Sequence, residues 1–115
     1  IFDPLLAGDE KHTDYYLQSM LYSLLVRNDT RLNPENTPVS PSLIFIQRSF
    51  SDNYDPTIVV GKEKVLDIKT YADEYKECLH NLVLEIFNRE IPFSPTSNGD
   101  SCKYCPYTKL CGKNV

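Results

Sequence analysis

The chain has 115 residues, of which 41% are hydrophobic, and its formal net charge is −4. This size suits one small domain with a modest core, and the mildly acidic balance argues weakly against a non-specific nucleic-acid binder. The sequence has no apolar run near the roughly 20 residues of a membrane span. It also lacks an initial Met and the basic and apolar regions of a signal peptide, which favours a cytoplasmic piece of a longer protein.

The first predicted element is a helix over residues 13–28. Thr13 or Asp14 is suited to cap its start, and Asn28 and Asp29 end the apolar pattern. The apolar residues of this segment recur at helical spacing, and they are Leu17, Met20, Leu21, Leu24 and Leu25.

A proline-containing loop follows, and then three short segments are candidates for strands. The sequence "SLIFIQRSF" at 42–50 is apolar and rich in β-formers, so we predict a strand there. "TIVVG", ending at Gly61, predicts a second strand, and "KEKVLDI" is a candidate for a third, short extended piece.

A second helix is predicted over residues 70–90. Thr70 stands at the expected N-cap, with Asp73 in the capping-box position. Its apolar stripe consists of Tyr71, Tyr75, Cys78, Leu79, Leu82, Val83, Ile86 and Phe87. The predicted fold class is therefore α+β, with two helices packed on a small sheet of two or three strands, followed by an irregular cysteine-rich tail.

Three of the four cysteines, which we call the tail cysteines, lie within ten residues: Cys102, Cys105 and Cys111. Their C-x2-C-x5-C spacing favours a metal or cluster site over incidental thiols, because CxxC lets two thiolates meet one metal from a tight turn. Pro106 follows the second cysteine, as a proline follows a ligand in bacterial ferredoxins.

Structural zinc and cubane clusters usually take four protein ligands, so a fourth ligand must be found. Cys78 lies on the apolar stripe of the second helix, where a free cysteine behaves as a small hydrophobe. His12 and His80 are alternatives for zinc, but neither has local ligand spacing. We therefore expect the fourth ligand outside this chain.

Two polar pairs are weaker candidates for a site. Gln18 and Tyr22 are four residues apart and share one helix face; taken alone, a surface glutamine and an amphipathic tyrosine explain them. Asp67 and Lys69 form the D-x-K that closes many metal-dependent nuclease signatures. No well-placed acidic partner precedes them, so a charged linker before a helix is the favoured interpretation.

Combined with the cysteines, Gln18-x3-Tyr22 resembles the Q-x3-Y motif of RecB-type PD-(D/E)XK nucleases. The tail "FSPTSNGDSCKYCPYTKLCG" resembles the carboxyl end of their iron–sulfur members, such as AddB-type helicase–nuclease subunits and CRISPR-adaptation exonucleases. The resemblance implies that residues 1–92 are the C-terminal part of a nuclease-like domain. Residues 93–115 would be an iron–sulfur-type tail.

In that family one far upstream cysteine joins the three near the C-terminus to hold a 4Fe–4S cluster, and the catalytic acidic residues precede the Q-x3-Y helix. The resemblance thus implies a Mg²⁺-dependent DNA exonuclease whose catalytic core lies upstream of this chain, with a helicase subunit or domain as partner. Gln18 and Tyr22 would line its active site, and the tail cysteines would be structural. The charged run at 9–11 shows no strand for a D/E-x-K.

Other interpretations stay open. One is a non-enzymatic module that docks a partner through a zinc or cluster site, for which three cysteines and a histidine would make a Cys3His set. Another is a complete minimal nuclease that uses Asp67 and Lys69. Lys103, Lys109 and Tyr104 are candidates for contacts with phosphate or base, although a solvated loop is the favoured interpretation.

Overall fold

A computed structural model describes residues 13–113 of the chain. It divides into two compact units, of which the first runs to Val83 and the second begins at Leu84. His12 and the charged run at 9–11, both considered above, lie outside the described residues. None of the helices in the described range is both long and apolar enough to cross a bilayer.

The first helix, α1, spans Thr13–Asn28, as the apolar spacing predicts. Asp14 lies in its first turn and Arg27 in its last, where each charge suits the helix dipole. At the carboxyl end the Asn28 side-chain amide donates to the Leu24 carbonyl at 2.9 Å, which satisfies a carbonyl near the end of the helix.

Residues 57–65 form a hairpin whose buried residues share a core with α1. Strand β1 (Val59–Val60) pairs antiparallel with β2 (Glu63–Lys64), and Val60 lies opposite Glu63. Gly61 opens the two-residue turn with a φ of 65°, a conformation that glycine adopts without steric cost.

The predicted strand over residues 42–50 is wrong. Only Ser42 forms a β-bridge, with Thr57, and residues Ile46–Arg48 turn into a 3-10 helix. The cause is Tyr54, whose hydroxyl accepts from the Phe45 N–H at 2.6 Å and donates to the Leu43 carbonyl at 2.9 Å. The Tyr54 side chain thus binds the backbone N–H and carbonyl groups that would otherwise pair with a neighbouring strand.

The second helix begins later and ends earlier than its apolar pattern predicts. A 3-10 turn at Ile68–Tyr71 leads into α2, which spans Ala72–Ile86. The predicted N-cap at Thr70 is wrong, because the entry is capped by Asp67, whose carboxylate accepts from the Lys69 N–H at 3.1 Å.

Both helices and the hairpin share one core within the first unit. The Tyr75 hydroxyl reaches across from α2 and donates to the Leu17 carbonyl of α1 at 2.8 Å. The buried core residues are Met20, Leu24, Ile58, Val60, Val65, Ile68, Ala72 and Tyr75. The chain is therefore α+β, with helices on a two-stranded antiparallel sheet, in agreement with the predicted fold class.

The second unit is mostly turns. Its α3 is a single turn, Gly99–Cys102, capped by Asn98, whose side chain accepts from the Asp100 N–H at 3.1 Å. This local structure fits the irregular cysteine-rich tail expected from the sequence.

Candidate functional site

Gln18 and Tyr22 lie on a groove of about 540 Å³ in the first unit. Their four-residue spacing puts both side chains on one face of α1, as the sequence predicts. The α1 residues that line the groove are Tyr15, Gln18, Ser19, Tyr22, Ser23 and Val26. The remaining lining comes from the segment that precedes the 3-10 helix, namely Val39, Ser40, Ser42 and Leu43.

The residues along this groove carry hydroxyl, amide and apolar groups but no formal charge. The Ser19 hydroxyl lies 3.4 Å from the Ser42 carbonyl, which it reaches as a donor, so the helix and the 39–43 segment are joined across the groove. Tyr15 and Tyr22 are 49% and 59% exposed, so both residues are partly open to solvent at the groove.

The 39–43 segment is held in place by the chain that enters α2. The Ile68 N–H donates to the Val39 carbonyl at 2.8 Å, and the Ser40 hydroxyl donates to the Val65 carbonyl at 2.7 Å. Pro41, in the middle of the segment, is fully buried. These contacts anchor the segment to the hairpin and to the 3-10 turn, and so determine the shape of the groove.

Asp67 is the centre of this anchorage. Its carboxylate accepts from Arg27 Nε at 3.0 and 3.2 Å and from the Val39 N–H at 3.4 Å. Partial burial by itself raises the pKa of Asp67, but the hydrogen bonds from Arg27 and from the Lys69 and Val39 N–H groups outweigh it, so the pKa lies below its usual value. Asp67 is therefore ionised, and its carboxylate is paired with the Arg27 guanidinium.

This geometry favours a structural role for the D-x-K pair. A metal at Asp67 would have to displace a buried guanidinium, since the Arg27 side chain is only 7% exposed. Lys69 is exposed, and its backbone N–H donates to the Asp67 carboxylate at 3.1 Å. The interpretation of the pair as a charged segment before a helix fits these contacts, and the minimal nuclease finds no support in them.

Arg27 and Asn33 are structural residues that the sequence did not point to. The Arg27 guanidinium also donates to Asn36 Oδ1, and Asn36 has a φ of 55°. Buried Asn33 donates to the Arg27 and Thr37 carbonyls and accepts from the Thr37 N–H at 2.8 Å. An arginine in the last turn of a helix, followed by a loop with several asparagines, indicates a capped helix end, but this local pattern does not identify Asp67 as the partner of Arg27.

A second, smaller cavity of about 180 Å³ differs in character from the groove. Its lining includes Arg48, Tyr54 and Asp55. A hydrogen bond from the Lys64 side chain is the main cause of the lowered pKa of Asp55, followed by hydrogen bonds from Thr57. Because both charges of this cavity belong to exposed side chains, we assign it no specific ligand.

The tail cysteines follow one another through turns of the second unit. Cys102 is buried at the end of α3, and its thiol lies 3.7 Å from the Asn98 carbonyl. The Cys105 N–H donates to the Cys102 carbonyl at 3.1 Å, and Cys105 is partly buried. Cys111 is exposed, and its N–H donates to the Tyr107 carbonyl at 3.0 Å.

Within residues 13–113, no group of three or more histidine, cysteine or acidic side chains is arranged to hold a metal ion. In this part of the chain the tail cysteines are therefore not grouped around a common metal or cluster site. A role for them as ligands is supported by their spacing in the sequence. Beside them, Lys103 lies over the ring of Tyr104 at 5.6 Å and Lys109 is exposed, which suits the solvated loop expected for these residues.

Cys78 lies on α2 and packs, partly buried, against the core of the first unit. The apolar stripe predicted this location. The side chain is less deeply buried than that of Tyr75, one turn earlier on the helix.

Comparison with sequence models of protein families gives a match. The sequence model of the PD-(D/E)XK nuclease superfamily matches residues 6–112. No curated protein and no solved structure matches the chain significantly. The matched range includes the groove on α1, both helices, the hairpin and all the tail cysteines.

Proposed function

Because the chain belongs to the PD-(D/E)XK nuclease superfamily, we propose that it forms the C-terminal part of a Mg²⁺-dependent DNA exonuclease of the helicase–nuclease subunit type. Such an enzyme hydrolyses phosphodiesters during DNA repair or recombination in the cytoplasm, together with a helicase subunit or domain. The observation that carries the proposal is the superfamily match over residues 6–112. The single range spans both the Gln18 and Tyr22 groove and the tail cysteines.

Gln18 and Tyr22 are proposed to contact the scissile strand. The groove supports this role, because it presents the amide and the phenol side by side on a helix surface that a ligand can reach. The Gln18 amide has both a donor and an acceptor, so it can orient a phosphate oxygen or a water molecule without adding a charge.

The catalytic carboxylates are proposed to precede α1 in the natural polypeptide, as they do in the nucleases that this chain resembles. Bound Mg²⁺ would activate water and stabilise the phosphoryl charge. Asp67 is not assigned to that set, since its carboxylate is paired with Arg27. Its proposed contribution is to hold the wall of the groove through Val39.

The tail cysteines are proposed to bind a 4Fe–4S cluster whose fourth ligand lies upstream of this chain, as in the iron–sulfur nucleases that it resembles. The support is the C-x2-C-x5-C spacing and the resemblance to iron–sulfur nucleases. A cluster of this kind stabilises a fold as structural metals do, so its role would be structural. Analysis of iron and zinc in the natural protein distinguishes this proposal from a zinc-binding interaction module.

The test is DNA degradation by the natural polypeptide that carries this sequence, with Mg²⁺ and linear DNA. Gln18→Ala is expected to lower the rate of DNA degradation about tenfold, because it removes a group that orients the reacting strand. Gln47→Ala is the matched control, since Gln47 is exposed on the 3-10 helix away from the groove lining. Equal rates for the two variants would remove Gln18 from the site, and no degradation by the wild type would refute the nuclease proposal.

A further inference from the structure

The groove lacks the charges expected of a phosphate-binding surface. Proteins that track the nucleic-acid backbone use lysine and arginine, and much of their affinity comes from neutralised phosphates. The ten residues that line this groove include neither. A DNA strand that enters the groove therefore finds partners for its bases and sugars, and few for its phosphates.

Two exposed tyrosines flank Gln18 along α1. Tyr15 and Tyr22 are seven residues apart, or about 10.5 Å along the helix axis, and both line the groove. The two residues are 49% and 59% exposed. Exposed aromatic rings act as platforms on which unpaired bases stack, whatever the base.

The small polar groups of the groove suit the edge of a base. The Ser40 hydroxyl donates to the Val65 carbonyl and the Ser19 hydroxyl to the Ser42 carbonyl, so these two oxygens offer their remaining lone pairs as acceptors. The Gln18 amide adds both donors and an acceptor. At about 540 Å³, the groove has the size of an ordinary small-molecule site, which is enough for a nucleoside.

We infer that the groove holds an unpaired nucleobase of the DNA substrate and that Tyr15, which lies outside the Q-x3-Y motif, is a stacking platform for it. The inference rests on the proposed function, since the nuclease family supplies the DNA. It assigns a base-stacking role to Tyr15, which lies one helical turn before Gln18.

The test measures the affinity of the natural polypeptide for short oligodeoxythymidine in EDTA, so that binding occurs without cleavage. A second series replaces one nucleoside at a time by an abasic tetrahydrofuran, which removes the base and keeps the backbone. For the wild type, one abasic position is expected to weaken binding roughly tenfold, as the loss of one base–aromatic stack does.

Tyr15→Ala is expected to weaken binding of the unmodified strand by a similar factor and to abolish the effect of the abasic position. Tyr15→Phe keeps the ring and is expected to bind like the wild type. Leu25→Ala changes an exposed residue of the same helix outside the groove and serves as the control. The salt dependence of binding is expected to be the same for Tyr15→Ala and the wild type, because no phosphate contact is lost.

The failures of the two proposals are distinguishable. If the wild type binds and degrades DNA but no abasic position matters, the groove does not hold a base and the inference is wrong while the nuclease proposal stands. If Tyr15→Ala binds like the wild type, Tyr15 is not the platform. If the wild type neither binds nor degrades DNA, the proposed function is wrong and the inference falls with it.

Discussion

Replacement of Asp67 by asparagine is expected to destabilise the first unit while keeping the volume of the side chain. The substitution removes the charge that faces Arg27, whose side chain is 7% exposed, whereas that of Asp67 is 22% exposed. Breaking a buried ion pair by removing one partner costs about 3–5 kcal/mol. Water can reach Asp67, and asparagine still accepts one hydrogen bond from Arg27, so we expect a loss of about 2 kcal/mol in the free energy of unfolding.

The measurement is thermal unfolding followed by circular dichroism. For a domain of this size a loss of about 2 kcal/mol corresponds to a decrease in Tm of roughly 10 °C. Asp55→Asn is the matched control. Asp55 pairs with Lys64, but both side chains are largely exposed, and exposed ion pairs contribute little to stability. Its Tm is expected to remain close to that of the wild type.

The difference between wild type and Asp67→Asn is also expected to depend on pH. The folded-state pKa of Asp67 lies below its usual value, so the ionised carboxylate stabilises the folded chain. That stabilisation is complete above the unfolded-state pKa of about 3.9 and is lost as the pH falls through the lower folded-state pKa. The gap between the two unfolding curves is therefore expected to stay constant near neutral pH and to narrow in acid.

An unchanged Tm for Asp67→Asn would refute the structural role of the carboxylate. If that variant kept the stability of the wild type and the natural protein lost its DNA degradation, Asp67 and Lys69 would be the catalytic D-x-K after all. The structural interpretation predicts the opposite pattern for Asp67→Asn. The variant is less stable, but at low temperature its folded molecules still degrade DNA.

Three further predictions concern the core and the tail. Tyr75→Phe is expected to lower the free energy of unfolding by about 1 kcal/mol in chemical denaturation, because it removes the hydroxyl that donates to the Leu17 carbonyl. Burial raises the pKa of Tyr75 to about 12, so spectrophotometric titration should show a late-titrating tyrosine in the wild type that is missing in the variant. Cys78→Ala is expected to cost on the order of 1 kcal/mol through lost packing and to leave metal content unchanged; loss of bound metal would reassign Cys78 as a ligand. In the natural protein, substitution of any tail cysteine is expected to release iron and labile sulfide and to lower the Tm. The 115-residue chain purified in air is expected to retain no complete cluster. An iron-free but stable natural protein, or a stoichiometric cluster in the 115-residue chain, would contradict the cluster proposal.

The two helices and the extended segments on either side of Gly61 could be predicted because their signals are local. The spacing of Leu17, Met20 and Leu24 determines which face of α1 is buried, and the observed helix has the predicted bounds, Thr13–Asn28. The same periodicity placed Gln18 and Tyr22 together on one face, and both line the groove. Gly61 ended the predicted second strand, and in the structure it occupies the turn of the hairpin with a positive φ, which favours glycine.

Local signals failed where a distant side chain competes for the backbone. The segment 42–50 has the composition of a strand, but the Tyr54 hydroxyl binds the Leu43 and Phe45 backbone groups, and Ile44 and Ile46 remain largely exposed. β-Propensity describes fitness for a pleated, half-buried surface, so it does not reveal which segments find a partner. Likewise, Asp67 and not Thr70 caps the entry to the second helix, at the start of the 3-10 turn that leads to Ala72, since the carboxylate is held there by its other contacts.

The sequence by itself determined the fold class, the helix that carries Gln18 and Tyr22, and the spacing of the tail cysteines, because periodicity, turn residues and motif spacing are properties of neighbouring positions. Only the tertiary structure decided that Asp67 pairs with Arg27, 40 residues away, and that the 39–43 segment closes a neutral groove beside Tyr15. The physical reason is that a carboxylate next to a lysine has the same local sequence whether it binds a metal or an arginine. Its role depends on which charge the folded chain brings within hydrogen-bond distance and how far water is excluded from the pair.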